Sequence, residues 1–186
     1  MTAVFLAGSR KLGRLNEQIR ERIDNLIAQN FLVLVGDANG ADKAVQKYLS
    51  ESNYSHVIVF CSGPRCRNNV GDWETRNVFV DPTLKGRSFY TQKDKKMAED
   101  ADFGFFIWDG KSSGTLNNIV ALLKYNKKSL VYFSPGRIFL SVASITDMEK
   151  LLERCLPSDV EKIRKKIALT KQINEVISSS QAGLNF

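Results

Sequence analysis

Five short stretches hold almost no charge: residues 3–7 (AVFLA), 31–35 (FLVLV), 56–61 (HVIVFC), 103–108 (FGFFIW) and 129–133 (SLVYF). Each is too short for a core helix and too evenly apolar for a strand with one wet face. Between them lie segments with helical spacing. Leu15, Ile19, Ile23, Leu26 and Ile27 share one helical face. So do Ala41, Ala44, Val45, Tyr48 and Leu49. A polar, lysine-rich helix is expected over residues 89–99 and another helix over 115–125. Strands apolar on both faces, alternating with helices, require a parallel sheet covered on both sides. Right-handed crossovers make this a doubly wound α/β fold of about five strands. Residues 138–142 (IFLSV) fit a short edge strand.

Beyond the sheet, residues 146–155 and 158–176 read as extra C-terminal helices. Ser158 with Glu161 has the spacing of a capping box. The chain thus divides into a ligand-binding domain over 1–145, a helical extension over 146–178 and a tail over 179–186. Residues 62–87 read as one long irregular loop.

Composition excludes several classes. No apolar run approaches the ~20 residues that span a bilayer, so no membrane partner is expected. The start carries no basic segment of the secretory type, which points to the cytoplasm. Three cysteines and one histidine make no metal set, and Cys61, Cys66 and Cys155 are expected as reduced thiols. No metal and no cofactor are expected. The formal net charge is +7, which draws polyanions. Lys93, Lys95 and Lys96 form one basic cluster, and Lys162, Arg164, Lys165, Lys166 and Lys171 another. Such clusters serve nucleic-acid binding and solvated helix faces alike.

Ligands of doubly wound sheets bind beyond the carboxyl ends of the strands. Three loops occupy such positions. In the first, Gly8 permits a tight turn, Ser9 offers a hydroxyl and Arg10 can grip a phosphate in two-pronged fashion. In the second, Gly36 ends a strand, and Gly40 opens a helix whose amides favour an anion. Asp37 or Asn39 can bind a sugar hydroxyl, and Asp42 stands in the first helical turn. The third loop is the most specific. Gly110 and Gly114 let backbone approach a ligand. Ser112, Ser113 and Thr115 surround a helix start, and Lys111 adds charge. Asp109 can hold ribose or act as a base, or simply form the turn. Neither a Walker motif nor a dinucleotide fingerprint is present. The lone His56 reads as a packing residue. Trp73 and Arg76 suit either base stacking or a cap on the core.

"GSR" at 8–10, "VGDANGADKAV" at 35–45 and "ADFGFFIWDGKSSGT" at 101–115 together resemble the SLOG superfamily. That group includes the LOG phosphoribohydrolases, the DprA/Smf proteins and the YspA/YpsA-like proteins. The resemblance covers about residues 1–133 and is strongest to the YspA-like branch. It implies a Rossmann-like fold that binds nucleotides or nucleotide derivatives, and a homo-oligomer. By motif position it implies a ligand-facing set of Gly8, Ser9, Arg10, Gly36, Asp37, Gly40, Asp42, Asp109, Gly110, Ser112, Gly114 and Thr115. LOG enzymes place a glutamate near the start of the helix after their Pro-Gly-Gly-x-Gly-Thr loop. Here the helix opens Leu116-Asn117-Asn118, with no carboxylate.

Three functions follow as expectations. The first is a sensor or capture module for a nucleotide or nucleotide derivative. The second is an enzyme cleaving or transferring at the N-glycosidic bond of a nucleotide, with Asp109 and Asp37 near the sugar. The third is single-stranded nucleic-acid binding, as in the DprA relatives.

Overall fold

A computed structural model describes residues 1–182. Seven strands form one sheet in the order β4-β3-β2-β1-β5-β6-β7. The five apolar stretches supply β1 (Ala3–Gly8), β2 (Leu32–Gly36), β3 (Val57–Ser62), β5 (Phe103–Trp108) and β6 (Ser129–Phe133). All neighbouring pairs are parallel except β6 with β7 (Ile138–Val142). The expected count of about five strands is therefore low by two. One addition is the edge strand expected at 138–142. The other, β4 (Glu74–Val78), lies inside the segment read as irregular. Its residues Glu74–Asn77 are exposed, so no apolar pattern marks it.

Alternate residues of each central strand enter two separate cores. Phe5, Ala7, Phe106 and Trp108 face one, packed by α3 (Gly86–Asp100), α4 (Ser113–Lys124) and the C-terminal helices. Val4, Leu6, Phe105 and Ile107 face the other, under α1 (Glu17–Ala28) and α2 (Ala41–Glu51). Burial on both faces is what keeps these strands free of charged residues. The chain leaves β1 in one direction through β2, β3 and β4, then returns to β5 on the other flank of β1. The switch point of the sheet thus lies between β1 and β5.

The C-terminal part forms α5 (Ile145–Leu152), α6 (Pro157–Lys166) and α7 (Leu169–Ala182). The single helix expected over 158–176 is broken at Ala168, whose φ is 48°. Ser158 is not a cap: Leu156 holds the cap position of α6, Pro157 opens the first turn, and no side chain caps it. Proline fits there because the first amides of a helix lack partners anyway. Met148, Leu151, Leu152, Ile163, Leu169 and Val176 join the core beneath α4. Among the described residues no helix is long and apolar enough to cross a membrane.

Cys61 and Cys66 also depart from expectation. They are joined as a disulfide, with Cα atoms 5.1 Å apart. The chain doubles back at Gly63 (φ +81°), which brings the two residues together. Cys155 is free.

Candidate functional site

A cavity of about 530 Å³ opens at the carboxyl edge of the sheet. It lies where the switch point predicts. Of the expected residues, Gly8, Arg10, Asp42, Asp109, Lys111, Ser112, Ser113, Gly114 and Thr115 line it. Ser9, Gly36, Asp37, Asn39, Gly40 and Gly110 do not.

Ser9 is fully buried and stitches the loops together. Its hydroxyl donates to Asp109 Oδ1 at 2.9 Å and accepts from the Asp109 amide at 3.1 Å. Its backbone amide donates to Ile107 O at 2.9 Å. Asp109 Oδ1 also accepts from the amides of Lys111 (3.0 Å) and Ser112 (2.7 Å). One oxygen of Asp109 is thereby committed to forming the turn. Gly8 keeps β1, β5 and α2 in close contact, since a Cβ there would lie 2.5 Å from Ile107 O.

Asp37 and Asn39 anchor the segment that follows β3. Arg67 donates from its amide and from Nε to Asp37 Oδ2, both at 3.0 Å, and from Nη2 to Oδ1. Asn68 Nδ2 donates to Asp37 O (2.7 Å) and to Asn39 Oδ1 (3.1 Å). Burial pushes the Asp37 carboxyl up, but the Arg67 hydrogen bonds outweigh it and hold the pKa below the usual range. A carboxylate held this way keeps its charge to lower pH than a free one, matched to Arg67.

Behind this pair sits Lys93, 3% exposed although its helix reads as a polar surface element. Its Nζ donates to Asp94 Oδ1 at 2.7 Å and lies 4.0 Å from Asp37 Oδ1. Burial pulls its pKa down; Asp94, Asp42 and Asp37 together raise it above the ordinary value. Asp42 completes the cluster, accepting from the Ala38 amide at 3.3 Å. Burial pushes the Asp42 carboxyl up to about 6, against the pull of Lys93. Between about pH 4 and 6 the folded state therefore holds a proton on Asp42 that the unfolded chain has lost. Stability contributed by this proton is full below pH 4 and is lost as pH rises to 6. The span is about 3 kcal/mol. Chemical denaturation between pH 4 and 7 is expected to show this fall, and Asp42→Asn is expected to flatten it. An unchanged slope in the variant would refute the assignment.

The opposite wall is α4. Ser112 caps it, its hydroxyl accepting from Thr115 N and Thr115 Oγ1 at 3.4 and 3.1 Å. The first-turn amides of Ser113 and Gly114 lie beyond reach of any helix carbonyl. Arg87, in the first turn of α3, stands directly on this terminus. Its guanidinium donates to Ser113 Oγ at 3.0 Å and to Ser113 O at 3.1 Å. Burial lowers its pKa; Asp94 raises it and Arg10 lowers it again. Among the described residues no carboxylate lies within ion-pair distance of Arg10 or Arg87. Two guanidinium groups and the positive end of a helix meet in this cavity with no carboxylate paired to either guanidinium. Tyr90 forms a further wall, with Arg67 4.2 Å and Arg10 5.9 Å from its ring centre. Asn118 also lines the cavity, 6% exposed, and its Oδ1 has no hydrogen-bond partner.

The fold is shared with a DNA-processing protein. DNA processing protein A from Helicobacter pylori, studied for its single-stranded DNA binding mode, superposes with a TM-score of 0.57 at 13% identity. The match covers 90% of this chain and 80% of that one. No protein-family model matches the chain, and no curated protein matches it in sequence. The likeness bears out the Rossmann-like architecture.

Arg87, Asn118, Tyr90, Lys93, Arg67 and Lys166 were not singled out as site residues by sequence reasoning, yet all line the cavity. Arg67 and Arg87 fall in the segment that reads as irregular, where no local pattern marks them, and Tyr90 and Lys93 fall on the expected lysine-rich helix. Trp73 and Arg76 lie elsewhere. Trp73 Nε1 donates to Tyr54 O at 2.8 Å, and Arg76 pairs with Asp100 at 2.8 Å over the Phe60 ring.

Proposed function

We propose that this cavity binds a nucleotide or nucleotide-derived ligand through its phosphate, as a sensor or capture module of the YspA-like kind. The observation that carries the reading is Arg87. A guanidinium placed on the positive end of α4, near Arg10 and without a paired carboxylate, favours the arrival of an anion. The phosphate sits on the amides of Ser113 and Gly114, between Arg10 and Arg87. Tyr90 offers a face for the base. The expected basic clusters lend less to a nucleic-acid track than their number suggests. Lys96, Arg164 and Lys165 pair with Glu99, Glu149 and Glu161, and Lys93 is buried.

A thermal-shift panel of mono-, di- and cyclic nucleotides, NAD and ADP-ribose tests this, with each mixture then analysed for released base by mass spectrometry. A true ligand at 100 times its Kd stabilises by ~2.7 kcal/mol. Arg87→Ala is expected to weaken its binding at least about tenfold, the loss of one charge-assisted contact. No shift with any nucleotide would overturn the reading.

Two further readings have an observation each. A carboxyl titrating near 6 in a cavity suits proton transfer. Asp42 is that group, so N-glycosidic cleavage is the second reading, and base release lost in Asp42→Asn supports it. The likeness to DNA processing protein A favours single-stranded DNA as the third. A steep fall of oligonucleotide affinity with salt distinguishes it.

A further inference from the structure

The cavity holds more positive charge than its own acids answer. Seven basic side chains line it, against the carboxylates Asp42, Asp94 and Asp109, with Asp37 and Asp159 just outside. Arg67, Lys93 and Lys111 pair with Asp37, Asp94 and Asp159. Arg10, Lys11, Arg87 and Lys166 have no such partner among the described residues. These four are not in one place along the chain. Arg10 and Arg87 stand at the α4 terminus. Lys166 is the last residue of α6 and reaches the cavity from the C-terminal extension. The same helix touches the rim a second time, where Asp159 Oδ2 lies 3.3 Å from Lys111 Nζ.

A single phosphate carries at most two negative charges, which Arg10, Arg87 and the helix terminus already match. It leaves the α6 side unanswered. Lys111 can turn from Asp159 to a ligand without stranding that carboxylate, because Lys162 Nζ lies 4.0 Å from Asp159 Oδ1. We infer that the ligand carries two or more linked phosphates, as a nucleoside diphosphate or a pyrophosphate-bridged nucleotide does, and that Lys166 of α6 holds the second. The inference rests on the nucleotide reading above and adds to it that the helical extension takes part in the site.

Isothermal titration of the full chain with the four common ribonucleoside 5′-mono- and diphosphates tests it, at one ionic strength. The wild type is expected to bind a diphosphate at least about fivefold tighter than its monophosphate, the scale of one exposed ion pair. In Lys166→Gln that advantage disappears, the diphosphate weakening about fivefold more than the monophosphate. Lys166→Arg retains it. Equal affinities in the wild type, or an equal loss for both ligands in Lys166→Gln, would overturn the inference while leaving the nucleotide reading intact. Failure of every nucleotide to bind overturns both, and capture of a single-stranded oligonucleotide alone does the same in favour of the DNA reading.

Discussion

Replacing Lys93 with methionine is expected to lower stability by about 3–5 kcal/mol at pH 7.5. Methionine keeps the length and apolar stem, so the loss is one of charge. Asp94 loses its 2.7 Å partner, and Asp42 loses the main attraction that favours its ionised form. Removing one member of a buried ionic cluster leaves the rest uncompensated, which accounts for the size of the effect. The melting temperature is expected to drop by roughly 10 °C in a chain of this length. The sign of the pH dependence is also fixed. Without Lys93 the folded-state pKa of Asp42 rises further, so protonation relieves more of the cost as pH falls. The gap between variant and wild type should narrow at pH 5. Guanidinium titrations at both pH values check this, and a loss below about 1 kcal/mol at pH 7.5 would show that Lys93 is not balanced by these carboxylates.

Gly40→Ala has the second large effect. Gly40 precedes α2 with φ +86° and ψ −129°, a conformation that side chains resist. The added Cβ would also lie 2.1 Å from Arg10 O and 2.5 Å from Arg10 Cα. Backbone strain of 1–2 kcal/mol joins an overpacking cost of similar size, for a total of about 3 kcal/mol. The contact is with the backbone of Arg10, so the phosphate site moves too. Denaturation and nucleotide titration of the same variant read the two consequences. A destabilisation under about 1 kcal/mol with intact binding would contradict this packing of the first two loops.

The sheet was legible because burial on both faces leaves a strong signature. Phe103–Trp108 and its four companions show no polar face to lose. β4 was invisible for the opposite reason: its exposed residues Glu74, Thr75, Arg76 and Asn77 lie on an edge strand, which needs no apolar pattern. The break at Ala168 was hidden because Ile163, Ile167, Leu169 and Ile173 keep apolar spacing across it. The loops of the site were legible for glycine and hydroxyl content, and nine of their residues do line one cavity. Their division of labour was not. Ser9, Asp37 and Asn39 have the chemistry of ligand contacts but spend it on neighbouring loops. Arg87 closes the segment that reads as irregular, and Lys93 sits in a lysine-rich stretch that reads as a polar helix. Only the packing of α3 against β3 and α4 turns them inward.

Amide chemical shifts recorded while a nucleoside 5′-phosphate is titrated into the protein test the central claim most directly. The account predicts that the amides of Ser113, Gly114 and Thr115 shift most, together with those of Arg10 and Arg87, and saturate at one common Kd. Shifts that leave these amides in place, or that fall along exposed lysines without saturating, would contradict it.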